Sequence, residues 1–175
     1  MADEHREALK RKIAEAFKST PYPGDGGLRG SDMGEEPYLV EEEFRGKTNW
    51  TALDAEFLDT APQGYSSALS FFSEAAFRFY LPAYLIADID GRLERSTPAF
   101  HLWYGLDDES KDLVVHRRFY GNRTWFQYKQ ERFAHFGSAE AGAIVSYLQW
   151  KSETDPDERD RIQQALHSYW LGRIR

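Results

Sequence analysis

Apolar side chains are most concentrated between residues 71 and 91, in a chain that is otherwise polar. Residues of this stretch recur at the spacing of one helix face, namely Phe77, Leu81, Tyr84, Leu85 and Ile89. Further aromatic residues extend the apolar surface around the cylinder, which is typical of a buried helix. Ser73 is a suitable N-cap, and Pro82 predicts a kink because proline cannot donate the helical hydrogen bond. The pattern predicts a buried, proline-kinked helix over 73–90, around which the rest of the chain is organised.

Six further segments have a helical pattern, which gives about seven helices in total. They are predicted at 3–18, 37–44, 51–59, 97–104, 138–151 and within 152–175. Ser138 is expected to cap the fifth of these. The last is an amphipathic C-terminal helix, opened by Asp155 as cap and Pro156 in the first turn. These elements predict a mainly α fold, arranged as one compact domain over 1–175.

Two segments lack a helical period. Residues 20–36 are rich in Gly, Pro and Asp, so they are predicted to form a flexible loop. In 111–128, the apolar run at 113–115 favours a strand and therefore a minor β-hairpin. Thr124 and Gln127 have the spacing of a capping box, which instead favours a helix beginning there.

The composition restricts the functional class. The 175 residues carry a formal net charge of −7 and include no cysteine. A negative net charge disfavours general nucleic-acid binding, which depends on neutralising phosphates. The N-terminus lacks an apolar signal core, and the longest apolar run is too short to cross a bilayer. We therefore expect a cytoplasmic protein with no membrane partner and no cofactor.

Charge is unevenly distributed along the chain. Residues 25–59 hold ten acidic and three basic side chains, whereas residues 111–132 hold six basic and two acidic ones, interleaved with aromatic residues. Aromatic and arginine side chains together are typical of surfaces that stack single-stranded nucleic acid or bind proteins. The net charge favours a surface that faces the acidic half of the same chain or of a second copy, and a surface for a protein partner is the third interpretation. The candidate interaction residues are Arg78, Arg117, Arg118, Arg123 and Trp125.

A catalytic alternative rests on residues 85–93. This segment resembles the nucleophile motif of haloacid-dehalogenase-type phosphatases, with Asp88 and Asp90 as the two aspartates. That chemistry needs a strand that ends at a magnesium site, but the helical period upstream argues against a strand, and Arg92 stands where the motif has threonine or serine. The five histidines have no metal-ligand spacing, and no Gly-x-Ser-x-Gly elbow is present.

Three groups of residues resemble a family of small bacterial cytosolic proteins of unknown function. They are Phe44-Arg45-Gly46-Lys47 with Trp50, Phe72-Ser73-x-x-Ala76-Phe77-Arg78-Phe79-Tyr80-Leu81-Pro82-Ala83-Tyr84-Leu85, and Ala143-Ile144-x-x-Tyr147-Leu148. The resemblance covers roughly residues 8–151, and the chain departs from it in 105–132 and in the final helix. It implies a compact cytosolic helical domain and carries over no catalytic residue.

These observations favour a non-enzymatic protein-interaction module, an immunity-like or regulatory partner in a bacterium. The alternative is a metal-dependent hydrolase or phosphotransferase that uses Asp88 and Asp90. The two hypotheses differ in what they require of residues 85–90, which are helical in the first and extended in the second.

Overall fold

The computed structural model describes residues 1–62 and 67–175. These residues form nine α-helices: α1 (Ala2–Phe17), α2 (Glu36–Phe44), α3 (Ala55–Thr60), α4 (Glu74–Ile89), α5 (Pro98–Trp103), α6 (Arg117–Tyr120), α7 (Trp125–Phe133), α8 (Ser138–Thr154) and α9 (Arg159–Ser168). Four 3-10 turns lie at Asp25–Gly27, Trp50–Ala52, Ala68–Ser70 and Trp170–Ile174. Extended pairing within the described ranges amounts to two isolated bridges. The mainly α class is confirmed, with nine helices in place of about seven.

The chain separates into two compact units, residues 1–98 and 99–175. The first unit carries 18 acidic and 11 basic side chains, and the second carries 11 of each. The whole net negative charge therefore belongs to the first unit. The single domain predicted over 1–175 stays a prediction.

Helix α4 is the core of the first unit. Eleven of its 16 residues are buried. The Ser73 hydroxyl accepts the Ala76 N–H at 3.0 Å, so the predicted N-cap is confirmed. The helix continues through Pro82 to Ile89. Helix α1 packs beside it, with the Arg6 guanidinium donating to the carbonyl of Ile89.

The segment predicted as a flexible loop, 20–36, is attached to the start of α4. The Ser73 N–H donates to the Leu28 carbonyl at 2.8 Å, and the Gly30 N–H donates to the Phe71 carbonyl at 2.8 Å. Gly30 lies so close to that backbone that a Cβ added there would be 2.5 Å from the Phe72 carbonyl oxygen. Leu28 is fully buried. The chain here has little regular structure, but its backbone is held by long-range hydrogen bonds.

The core of the second unit is organised around Trp170. This side chain is fully buried, and its indole N–H donates to the Leu102 carbonyl at 2.9 Å. The ring of Phe133 packs against it with centroids 4.8 Å apart. Helices α8 and α9 pack against each other and against the 3-10 turn that carries Trp170.

The β-hairpin predicted in 111–128 does not form as strands. Val114 and Thr124 make one antiparallel bridge, and the residues between them include α6. The capping box at Thr124 and Gln127 is confirmed, since each side chain accepts the other residue's backbone N–H. This capping begins α7 at Trp125 and leaves too few residues for a second strand.

The predicted boundaries of three helices were wrong. The C-terminal helix begins at Arg159 because Asp155 terminates α8 and its carboxylate accepts the Asp157 N–H in a turn. It ends at Ser168 and is followed by a 3-10 turn, so 152–175 is not one helix. Ser138 is the first residue of α8, and Gly137 is the N-cap, with its N–H held by Glu140. The helix predicted at 51–59 is divided in two by Asp54, which caps α3.

None of the helices in the described ranges combines the length and apolar character that crossing a bilayer demands.

Candidate functional site

Five aromatic rings form a continuous series of contacts in the second unit, and we call this series the aromatic ladder. Its members in order are Phe100, Tyr104, Trp125, Tyr128 and Tyr120. Neighbouring ring centroids lie 5.1, 5.1, 5.6 and 5.4 Å apart along this order. The first contact is stacked and the other three are edge-to-face, which are the favoured geometries for aromatic pairs. The two end members are exposed and the three between them are half-buried.

Local hydrogen bonds fix the ladder. The capping box sets the start of α7, which places Trp125 and Tyr128 one turn apart on the same side. The Trp125 N–H donates to the Leu113 carbonyl at 2.9 Å, and the Phe126 N–H donates to the Lys111 carbonyl at 3.0 Å. These bonds attach the chain before α6 to the beginning of α7, so the rings are presented from a fixed backbone.

An exposed apolar group adjoins the ladder, and we call it the apolar tip. It consists of Leu113, Val114, Phe119 and Tyr120. Nine large apolar side chains are exposed in the described ranges, and these four fall within eight residues of sequence. Single exposed apolar side chains are ordinary on a protein surface, whereas a local group of them indicates an interaction site.

Four of the five candidate interaction residues lie at the tip or the ladder. Arg117 and Arg118 are exposed on α6, and within the part of the chain that the structure describes neither forms an ion pair. Arg123 pairs with Glu131 at 2.8 Å, so its charge is locally balanced. Trp125 is the central ring of the ladder. The structure therefore brings these residues to one region of the second unit.

A buried lysine lies behind the ladder. Lys129 is 7% exposed, and its amine donates to the His101 carbonyl at 2.8 Å. Gly105, at a φ of +86°, packs against both Lys129 and Trp125, and a Cβ added there would lie 2.9 Å from the Lys129 Cγ. Burial lowers the pKa of Lys129 to about 7, and the nearby charge of Arg132 adds to this effect. Burial, with the charges of Lys129 and Arg132, lowers the pKa of His101 to about 3.

Sequence reasoning missed several of these residues. Phe100 and Tyr104 lie in the helix predicted at 97–104, but nothing in the sequence links them to Trp125, more than 20 residues later. Lys129 is one of the six basic residues in 111–132. The one available signal was its place four residues after Trp125 and four before Phe133, which puts a charged side chain between two aromatic ones on a helix face.

The fifth candidate, Arg78, lies in the first unit. It is half-buried on α4, in the turn before Pro82. The other four candidates belong to the second unit, so Arg78 and these four lie in different units of the chain.

The aspartates of the catalytic alternative do not have the geometry that it requires. Residues 85–89 are helical, Asp88 lies within α4 and Asp90 is its C-cap residue, so no strand ends there. The Asp90 carboxylate pairs with the Lys10 amine at 2.8 Å. Across the described residues, no three carboxylate or imidazole side chains converge as metal ligands would. The alternative that uses Asp88 and Asp90 therefore lacks the strand that its chemistry requires.

Comparison with known proteins identifies the family. A model described as "Family of unknown function (DUF6714)" matches residues 5–174. The chain belongs to this family. The DUF6714 match extends over 105–132 and the final helix. No curated protein and no solved structure matches the chain.

Proposed function

We propose that this DUF6714 protein is a non-enzymatic interaction module, an immunity-like or regulatory partner in the bacterial cytoplasm. It binds an acidic protein surface through the apolar tip and the two arginines of α6. The observation that carries this proposal is the local concentration of exposed apolar side chains beside Arg117 and Arg118.

The composition of this surface favours a protein as the partner. Aromatic and arginine side chains are enriched at the centres of protein interfaces, where they contribute most of the binding energy. A tip whose backbone is already fixed loses little conformational entropy on binding. The bridge between Val114 and Thr124 and the bond from the Val115 N–H to the Arg123 carbonyl, at 2.9 Å, provide that rigidity.

Charge supports a local acidic target over nucleic acid. The second unit has equal numbers of acidic and basic side chains, so it has no net attraction for a polyanion. Arg117 and Arg118 are instead a small positive group next to apolar area. The complement of such a group is an apolar depression with carboxylates at its edge. The acidic stretch 25–59 of a second copy is one source of carboxylates, and another protein is the other.

The test compares two double charge reversals that change the net charge equally. R117E/R118E alters the tip, whereas R11E/K12E alters a basic pair on the exposed side of α1 in the first unit. Each tagged variant is used to capture partners from an extract of the native host, and each is analysed alone by sedimentation velocity. We expect a stoichiometric partner, or a dimer, that survives R11E/K12E and is lost with R117E/R118E.

A second variant separates the apolar contribution from the charge. F119A removes a ring that is 51% exposed, so it leaves the core of the unit unchanged. We expect it to weaken the same complex at least tenfold. The proposal is overturned if the wild type has no stoichiometric partner and is monomeric, or if both charge reversals weaken binding equally. Binding of a single-stranded oligonucleotide at physiological salt, lost in R117E/R118E, would replace it with a nucleic-acid function.

A further inference from the structure

A pocket of about 320 Å³ lies in the first unit, between α1, α4 and residues 50–55. Its apolar lining includes Ala14 of α1, Ala83, Ile86 and Ala87 of α4, and Trp50 and Leu53 of the connecting segment. Alanine side chains on two packed helices leave space that larger residues would fill. The volume is at the lower end of the range for small-molecule sites.

The walls of the pocket are fixed without a ligand. Trp50 is 7% exposed, and the Asn49 side chain accepts the Thr51 N–H at 3.0 Å, which holds the 3-10 turn that carries the indole. The C-terminal end of α4 is joined to α1 by the Lys10–Asp90 ion pair and by the bond from Arg6 to the Ile89 carbonyl. A preformed apolar cavity needs little rearrangement to accept a ligand.

Three charged side chains line the pocket, and two of them already have hydrogen-bond or ion-pair partners. Asp90 pairs with Lys10, and Asp54 accepts the Phe57 N–H at 2.8 Å at the start of α3. Arg92 is exposed and forms no ion pair among residues 1–62 and 67–175. Its backbone is nevertheless fixed, because its N–H donates to the Ala87 carbonyl at 3.0 Å.

A polar cleft of about 700 Å³ shares Asp54, Ala55 and Arg92 with the pocket. Arg92 therefore stands at the boundary between an apolar interior and a hydrated exterior. A ligand that fits this boundary has an apolar body and a single polar end. Asp54 stands at the same boundary, but its carboxylate already accepts the Phe57 N–H, which leaves the guanidinium of Arg92 for the ligand. The end complementary to a guanidinium is a carboxylate, which arginine binds with two parallel hydrogen bonds.

We propose that this pocket binds a small aryl or alkyl monocarboxylate. The apolar body lies against Trp50 and the alanines of α1 and α4, and the carboxylate pairs with Arg92. The site belongs to the first unit, and its argument uses none of the residues of the apolar tip. A result that overturns the interaction function would therefore leave this proposal unaffected, and the reverse is also true.

The test uses 3-phenylpropionate and octanoate as probes, with 3-phenylpropanamide as the neutral analogue. Binding to the full chain is measured by isothermal titration calorimetry and by the change in tryptophan fluorescence. We expect both carboxylates to bind and the amide to bind at least tenfold more weakly. R92Q should weaken carboxylate binding at least tenfold, whereas R95Q, which changes an arginine of the same loop outside the pocket, should leave it unchanged.

A cavity-filling variant tests the location. A14L extends a half-exposed side chain into the pocket from α1, where leucine is a good helix former, so the fold is expected to tolerate it. Its melting temperature checks this point. We expect A14L to abolish the binding of both probes. The proposal is overturned if neither carboxylate binds at millimolar concentration, if the amide binds equally well, or if binding persists in both R92Q and folded A14L.

Discussion

The amine of Lys129 donates its hydrogen bond to the backbone carbonyl of His101, 2.8 Å away, in the buried layer behind the aromatic ladder. The ring of Phe133 lies 5.1 Å from the same amine. A carbonyl and an aromatic face compensate an ammonium charge only in part, and burial therefore lowers the pKa of Lys129 to about 7. The lysine is therefore a source of instability in the layer behind the aromatic ladder.

Replacing Lys129 with methionine should stabilise the protein, and the gain should depend on pH. The unfolded lysine has a pKa near 10.4, so between pH 7 and 10 the unfolded state binds more protons than the folded state. The stability of the wild type should therefore rise over this window relative to K129M. A difference of one pKa unit corresponds to about 1.4 kcal/mol. The unfolding free energy of K129M should therefore exceed that of the wild type by a few kcal/mol at pH 6 and by much less at pH 10.

Urea unfolding of both proteins at several pH values measures this difference. Taking the difference cancels the titration of tyrosines and other groups that the two proteins share. A constant gap between pH 6 and 10 would show that Lys129 keeps an ordinary pKa in the folded protein.

Replacing Ser73 with alanine should cost about 1–2 kcal/mol of unfolding free energy, the usual value for a lost N-cap. The Ser73 hydroxyl both caps α4 and donates to the Gly27 carbonyl, so two bonds are lost together. S138A is the matched control, because Ser138 is inside the first turn of α8 and caps nothing. Guanidinium denaturation compares the two variants. Equal losses would contradict the assignment of these two helix starts.

Replacing Gly30 with alanine should destabilise the first unit by about 1–3 kcal/mol, the usual cost of overpacking. The added methyl group would meet the Phe72 carbonyl at 2.5 Å, and the backbone cannot move without losing the bond from Gly30 to Phe71. G26A is the control, since a Cβ at Gly26 has no neighbour within 4 Å. Differential scanning calorimetry should show a lower melting temperature for G30A alone, and amide exchange at Gly30 and Ser73 should become faster.

Replacing Asp59 with asparagine should cost about 1–2 kcal/mol at neutral pH, because hydrogen bonds to a charged acceptor are stronger than those to a neutral one. The Asp59 carboxylate accepts the N–H groups of Glu94, Arg95 and Ser96 at 3.0, 2.9 and 2.8 Å. Partial burial raises the pKa of Asp59, but these backbone donors outweigh it and hold the pKa below its usual value.

The pH dependence follows from this direction. A carboxyl whose pKa is lower in the folded state contributes stability above about pH 4, and this contribution is lost as the pH falls below that value. The gap between wild type and D59N should therefore be constant from pH 5 to 7 and shrink toward pH 3. D54N serves as control, because asparagine caps a helix as well as aspartate does. If the wild type is still more stable than D59N by the same amount at pH 3, the negative charge of Asp59 is not what stabilises residues 94–96.

Local signals in the sequence predicted the main helix and two of the caps correctly. The Ser73 cap and the dense apolar run gave α4, and the Thr124–Gln127 pair gave the start of α7. Both features depend on residues within four positions of each other, so neighbouring side chains determine them. The phosphatase resemblance failed for the same reason, since the helical period around Leu85 outweighed a short motif match.

Long-range backbone pairing was invisible in the sequence. The Gly30 N–H donates to the Phe71 carbonyl, and both are backbone groups that every residue other than proline has. No side-chain pattern in the sequence therefore predicts this bond. The same holds for the bond from the Trp125 N–H to the Leu113 carbonyl, which joins the chain before α6 to the start of α7. The pocket beside Trp50 was missed because alanines on separate helices form a cavity only once those helices pack.

The close spacing of rings in the ladder has an optical consequence. Tyr104 and Tyr128 each lie within 6 Å of the Trp125 ring. Excitation energy absorbed by a tyrosine passes efficiently to an indole at such separations, so light absorbed by these two phenols leaves mainly as tryptophan emission. Binding at this surface would change the polarity around Trp125 and shift the wavelength of its fluorescence. Binding to the native protein can therefore be followed without an attached dye.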